Sequence, residues 1–211
     1  AQASFSGPSY ATILTGKLPQ EHGVRNHPQE LADEHETFAE AADAAGATTA
    51  AFVAHPFLAP KWNYDQRFGT YELLAAPEGA AVPGGRIADV VDAAIAWLGE
   101  LADAEPFVLF VQVMEPHMPY APPAPFDTRF GPEREEFTLM EDVTALGGGH
   151  AKIMFGFEEA GYGPADLERA VELYDGTIAQ VDHELERLWT ALSDAGRLDS
   201  SLLAITADHG E

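Results

Sequence analysis

Residues whose type and setting could do chemistry occur at separated points of the chain. Ser6 opens the run Ser6-Gly7-Pro8-Ser9, a capping residue with proline close behind, so a helix is expected to begin at this hydroxyl. The first amides of a helix point outward and stabilise the oxygens of a sulfate or phosphate group. Ser6 is then a candidate nucleophile and Ser9 a candidate anion-binding hydroxyl, although a capping serine with no further role satisfies the same local pattern. Asp208-His209 follows the apolar run Ser201 to Thr206. A carboxylate oxygen beside an imidazole nitrogen on rigid backbone suits a divalent cation, with a loop cap as the plainer alternative. His117 stands between two prolines in Glu115-Pro116-His117-Met118-Pro119-Tyr120, where stiff backbone would hold it to donate a proton or bind an ester oxygen. His55 ends another strand-like run and is a weaker candidate of the same kind. His22, His27, His35, His150 and His183 form no constellation.

The elements that must position these residues can be read from periodicity. A short helix is expected from Ser6 through Leu14, stopped by Thr15-Gly16. Thr37-Phe38-Ala39-Glu40 is a capping box at the head of a second helix, and Ala47 to Ala54 reads as a strand. Ile87, Val90, Val91, Ile95 and Leu98 keep helical spacing, and Pro106 to Met114 is a nearly continuous apolar run of the kind found in buried parallel strands. The stretch 119–163, rich in proline, glycine and acidic residues, is expected to be an irregular excursion over the active-site side. From Leu167 to Leu192, apolar residues step by four and three along one seam, predicting a long helix packed on a sheet. Ser201 to Thr206 reads as a last short strand. Strands alternating with helices predict an α/β fold with a mostly parallel central sheet and helices on both faces. In such sheets ligands bind beyond the carboxyl ends of the strands, which is where His117 and Asp208-His209 fall.

Composition narrows the function classes. Asp plus Glu number 35 against 11 for Lys plus Arg, a formal net charge of −24, and the lysines are Lys17, Lys61 and Lys152. Such a surface repels nucleic acid and anionic membranes. With its acidic residues spread over ordinary elements and with few lysines, the chain suggests a protein kept soluble in high salt, as in a halophile. The absence of cysteine excludes disulfides, thiolate metal sites and a cysteine nucleophile. No apolar stretch is long enough to span a bilayer and no secretion signal opens the chain, which decides little in a chain read as lacking its true N-terminus; a soluble protein is expected, its location open with the cytoplasm slightly favoured. The chain starts without methionine and stops directly after Asp208-His209-Gly210-Glu211, and it reads as a fragment, one partial domain over 1–211.

Several separated motifs, in one order, resemble the sulfatase family of the alkaline-phosphatase-like superfamily. Ser6-Gly7-Pro8-Ser9-Tyr10-Ala11-Thr12-Ile13-Leu14-Thr15-Gly16 is similar to the signature in which a Cys or Ser, any residue, Pro, Ser and Arg precede Leu-Thr-Gly. Leu18-Pro19, His22-Gly23-Val24, the Glu115 to Tyr120 segment, Tyr174-Asp175, Val181-Asp182 and Thr206 to Glu211 also resemble that family. The resemblance implies a truncated alkaline-phosphatase-like core in which Ser6 is the nucleophile and itself a metal ligand. Asp208 and His209 would be metal ligands, and His117 would lie near the leaving group. His55 falls where the family often places a Lys and His pair, but its local motif does not match. The implied cofactor is a divalent metal ion, with Ca2+ favoured and Mn2+ or Zn2+ compatible. Two further aspartates would come from a strand preceding Ala1.

One departure bears on mechanism. The signature arginine, which supports conversion of the nucleophile to formylglycine, is Tyr10 here, and this makes formylglycine at Ser6 doubtful. The resemblance thus implies a sulfuric ester hydrolase acting on a small anionic ester through Ser6 or its formylglycine form. The alternatives are a phosphodiester or phosphonate-ester hydrolase using unmodified Ser6, and a non-catalytic sulfatase-like protein that binds an anion. Taken alone, the 211-residue piece is expected to be inactive.

Overall fold

A computed structural model describes residues 1–26, 28–75, 84–102, 105–133 and 162–210. The expected role-free residues His27 and His150, and most of the 119–163 excursion, lie outside them. The described residues divide into two compact units, with those of 1–75, 84–113 and 188–210 in one and those of 114–133 and 162–187 in the other.

The first unit is built on three parallel strands in the order β2-β1-β3, with β1 Thr48–Val53, β2 Thr70–Leu73 and β3 Phe107–Gln112. Thr48 lies opposite Phe107 and Val53 opposite Gln112, so β1 and β3 end level with each other at their carboxyl ends. Side chains alternate across a strand, and the two faces are covered differently. Phe52 of β1 and Phe107 of β3 meet Trp97 of α4 (Ile87–Leu98) edge-on. Ala51, Val53 and Phe110 turn to the opposite face, where α1 (Ser6–Thr15) and α3 (Phe38–Ala44) pack. This is the expected parallel sheet with helices on both faces. The capping box at Thr37 forms as read, with Thr37 Oγ1 accepting from the Glu40 amide and the Glu40 carboxylate accepting from the Thr37 amide. Strand β2 was not legible beforehand, because its short run Thr-Tyr-Glu-Leu has no apolar stretch; its pairing to β1 defines it.

The core on the α1 face joins Tyr10, Ala11 and Leu14 to Val24, Leu31, Val53, Leu58 and Tyr64. Leu14 is buried, so Leu14→Ala leaves a cavity that rigid neighbours cannot fill. It should cost about 2–5 kcal/mol in denaturant unfolding of the chain.

A short helix α2 (Pro19–His22) places His22 beneath α1. The His22 Nδ1 accepts from the Val24 amide at 3.1 Å, so the ring proton sits on Nε2 and faces Thr12 Oγ1 at 3.1 Å. A second ring proton would confront the Val24 N–H, and burial, then the charge of His35, hold the imidazole below its ordinary pKa. The unfolded state therefore binds this proton at higher pH than the folded state. Stability from His22 is fully present above the unfolded value of about 6.5 and is lost as pH falls from there through the depressed folded value. His22→Gln should flatten this part of the pH dependence, read as the difference in denaturation midpoints of the variant and the unsubstituted chain between about pH 7.5 and about pH 5.5, on either side of about 6.5.

Two expectations are corrected. Ser201 to Thr206 is not a strand: it makes no ladder with any described strand, and Leu202 and Ile205 are 96% and 83% exposed. A strand needs a hydrogen-bonding neighbour, and none of the described residues supplies one. The long helix is present as α5 (Pro164–Asp194), but Leu167, Val171 and Ile178 of its apolar seam are exposed. In the second unit the helix instead buries Arg169, Leu173, Thr177, Gln180 and Glu184. Arg169 anchors this face, its guanidinium donating to the Asp127 and Gly131 carbonyls and pairing with Glu172. Gly176 allows the same face to approach the Phe126 carbonyl closely, since a β-carbon there would lie 2.4 Å from it. Among the described residues no helix is long and apolar enough to cross a membrane.

Candidate active site

Ser6 is the first residue of α1 and is 6% exposed. The cap position is Phe5, with extended backbone and no side-chain capping hydrogen bond. The hydroxyl of Ser6 is therefore not used to cap its helix. It lies 3.2 Å from Nε2 of His209. His209 Nδ1 is 2.7 Å from the Gly210 carbonyl, to which only a ring N–H can bond, so in the neutral ring Nε2 carries a lone pair and accepts from Ser6. Asp208 Oδ2 is 3.4 Å from the same Nε2. A hydroxyl oxygen, an imidazole nitrogen and a carboxylate oxygen thus converge although 203 positions separate Ser6 from His209.

The donor types suit a hard or borderline divalent cation. Their number is short of a full shell: among the described residues no three His, Cys, Asp or Glu side chains come together for a metal. Asp208 and His209, with the Ser6 oxygen, fit as part of a larger set.

Ser9 is also buried, and its hydroxyl donates to the Ala3 carbonyl at 3.2 Å, tying the segment before α1 to the first helical turn. Tyr64 donates to the Gly7 carbonyl at 3.1 Å, and burial pushes its phenol up to about 12. Tyr10, one turn beyond Ser6 on α1, is buried beside the sheet. Burial, then the charge of Asp208, raises its phenol well above the ordinary value, so the residue in the arginine position of the signature is a neutral hydrogen-bonding group.

His55 follows β1 and is buried, with its ring edge-on to Tyr10 at a centroid distance of 6.3 Å. Its Nδ1 accepts from the Phe57 amide, which leaves the neutral ring's proton on Nε2. Gln112, which sequence reasoning missed, is 4% exposed at the end of β3; its Oε1 accepts from the amides of Ala54 and His55. The signal that could have found it is a lone polar residue inside the apolar run Phe107 to Met114. His117 belongs to the second unit. Its amide donates to the Met114 carbonyl and its Nδ1 donates to the Met118 carbonyl at 2.6 Å, between cis peptide bonds at Pro116 and Pro119.

The parallel sheet with helices on both faces is the alkaline-phosphatase-like core. Phosphonate monoester hydrolase of Agrobacterium radiobacter superposes with a TM-score of 0.68 at 22% identity, covering 94% of this chain and 52% of that one. A protein solved with its substrate D-glucosamine-2-N,6-O-disulfate superposes with a TM-score of 0.63 at 20% identity, covering 94% and 55%. The chain belongs to the sulfatase family, whose model matches residues 2–211. An arylsulfatase of Clostridium perfringens is 28% identical over 127 residues, 58% of this chain and 26% of that protein. The chain thus spans about half the length of the solved relatives and about a quarter of the arylsulfatase.

Proposed function

We propose that this chain supplies part of the active site of a metal-dependent sulfuric ester hydrolase, with Ser6 or its formylglycine form as nucleophile. The observation that carries the reading is the approach of Ser6 Oγ to His209 Nε2, with Asp208 alongside. Membership in the sulfatase family supports it. Asp208, His209 and the Ser6 oxygen would hold the cation, with Ca2+ favoured and Mn2+ or Zn2+ compatible. Such an ion lowers the pKa of a bound hydroxyl and neutralises ester oxygens as charge builds on them.

The protein's own groups then have defined tasks. The amides at the start of α1 hold the ester oxygens, with Ser9 securing that turn. Ser6 Oγ bonds to sulfur as the ester S–O bond breaks, its own proton leaving to solvent. The departing oxygen keeps the bonding electron pair and takes a proton from solvent. Water then cleaves the sulfated Ser6 and regenerates the hydroxyl.

Tyr10 favours a second reading, a phosphodiester or phosphonate-ester hydrolase using unmodified Ser6, because the arginine that supports formylglycine formation is replaced by a neutral phenol. The likeness to a phosphonate monoester hydrolase agrees with it at the level of fold. Mass analysis of the Ser6 peptide from the parent protein, the longer protein of which this chain is read as a part, separates the two: formylglycine has lost a pair of hydrogens relative to serine. The same preparation should hydrolyse an aryl sulfate or an aryl phosphodiester when a divalent cation is supplied. Turnover of neither ester would leave anion binding without catalysis as the account of this site.

A further inference from the structure

We propose that Gln112 is a positioning residue for the Ser6 cleft, fixing through one buried side-chain amide the backbone of His55, whose ring packs against Tyr10 of α1. The inference rests on the hydrolase reading above for its kinetic consequence, though not for its structural one.

Three hydrogen bonds hold the amide. Oε1 accepts from the Ala54 amide at 3.0 Å and from the His55 amide at 2.8 Å. Nε2 donates to the Val113 carbonyl at 2.6 Å. Both acceptor sites of Oε1 and one of the two N–H groups are thereby used. A buried amide held in this way keeps its partners in one arrangement, because rotating it would leave several polar groups unpaired at once. Those partners are the two residues after β1 and the residue after β3. Tyr10 in turn meets the His55 ring edge-on, and Phe57 lies on that ring at 5.0 Å while its amide fixes Nδ1. His55 is thereby presented with its proton on Nε2 in the unit that also holds Ser6, Asp208 and His209.

The bland alternative, a glutamine that merely completes the sheet end, makes a different forecast. The Ala54 amide also reaches the backbone carbonyl of Gln112 at 3.1 Å, so the strand pairing keeps an acceptor when the side chain is removed. The His55 amide loses the acceptor that holds it. Gln112→Met, close in volume and without polar atoms, therefore isolates the positioning role. Gln112→Glu keeps an oxygen at the Oε1 position and serves as the conservative rescue.

The test has a spectroscopic and a kinetic arm. In this chain labelled with 15N-histidine, His55 should show a pyrrole-like Nε2 and a pyridine-like Nδ1. Gln112→Met should convert this pattern to a tautomer mixture, and Gln112→Glu should restore it. In the parent protein, Gln112→Met should lower kcat for an aryl ester roughly 10- to 100-fold, the scale expected when a catalytic group is displaced by about an ångström, with KM nearly unchanged. A His55 spectrum identical in Gln112→Met, or an unchanged kcat beside an altered spectrum, overturns the proposal. An altered spectrum in a parent protein inert toward every ester would instead overturn the hydrolase reading and leave the Gln112–His55 link standing.

Discussion

Ser6→Ala in the parent protein should lower aryl ester hydrolysis by at least about a thousandfold, the scale seen when a covalent nucleophile is removed. The expectation follows from the position of the hydroxyl. Ser6 does not cap α1, since Phe5 holds the cap position and no side-chain capping bond is made there. Removing the oxygen therefore leaves helix stability nearly intact while deleting the atom that faces His209 Nε2. Steady-state rates with saturating divalent cation, beside a thermal melt of both proteins, make the comparison. A melt shifted by several degrees would attribute the loss to folding, whereas an unchanged melt with the rate gone assigns it to the hydroxyl. The same variant would be inert whether serine or formylglycine is the working group, because alanine can become neither.

His209→Ala should produce the second large effect, and part of it is measurable without turnover. The imidazole is oriented by its Nδ1 bond to Gly210 so that the Nε2 lone pair faces Ser6 and Asp208. On the proposed reading, deleting it removes a nitrogen donor to the cation, so divalent cation affinity should fall roughly 100-fold or more. Loss of a group that merely orients a metal ligand already costs about 10- to 100-fold, and a ligand itself should cost no less. Calorimetric titration with Ca2+, Mn2+ and Zn2+ reads this directly, and kcat/KM should fall with it. Equal affinity in variant and parent would remove His209 from the metal set.

Much of this architecture was legible in the sequence because it depends on local chemistry. The capping box at Thr37, the helix begun at Ser6, and the apolar runs of β1 and β3 each declare themselves within a few residues. Asp208-His209 could be paired with Ser6 across the chain through the ordered motifs that resemble the sulfatase family, and not through a strand end, since Ser201 to Thr206 forms no strand. What escaped reading depends on long-range partners. In the seam of α5, Leu192 is buried while Leu167, Val171 and Ile178 are exposed, which shows that helical periodicity names an apolar stripe without fixing how much of it packs. Ser201 to Thr206 has a strand's composition, but a ladder needs a neighbour, which no periodicity can supply. Gln112 was not singled out within its apolar strand, and its meaning rests on three hydrogen bonds to groups distant in sequence or beyond the strand end.

The central claim is that Ser6, Asp208 and His209 act as one site, and a double-mutant cycle tests it most directly. Ser6→Ala, His209→Ala and the double variant of the parent protein would be assayed for kcat/KM on one aryl ester at one fixed concentration of divalent cation. Groups that act as a unit give grossly non-additive losses, so the double variant should be scarcely worse than the poorer single variant. Losses that multiply across the two substitutions would mean that Ser6 and His209 act independently and would contradict the account.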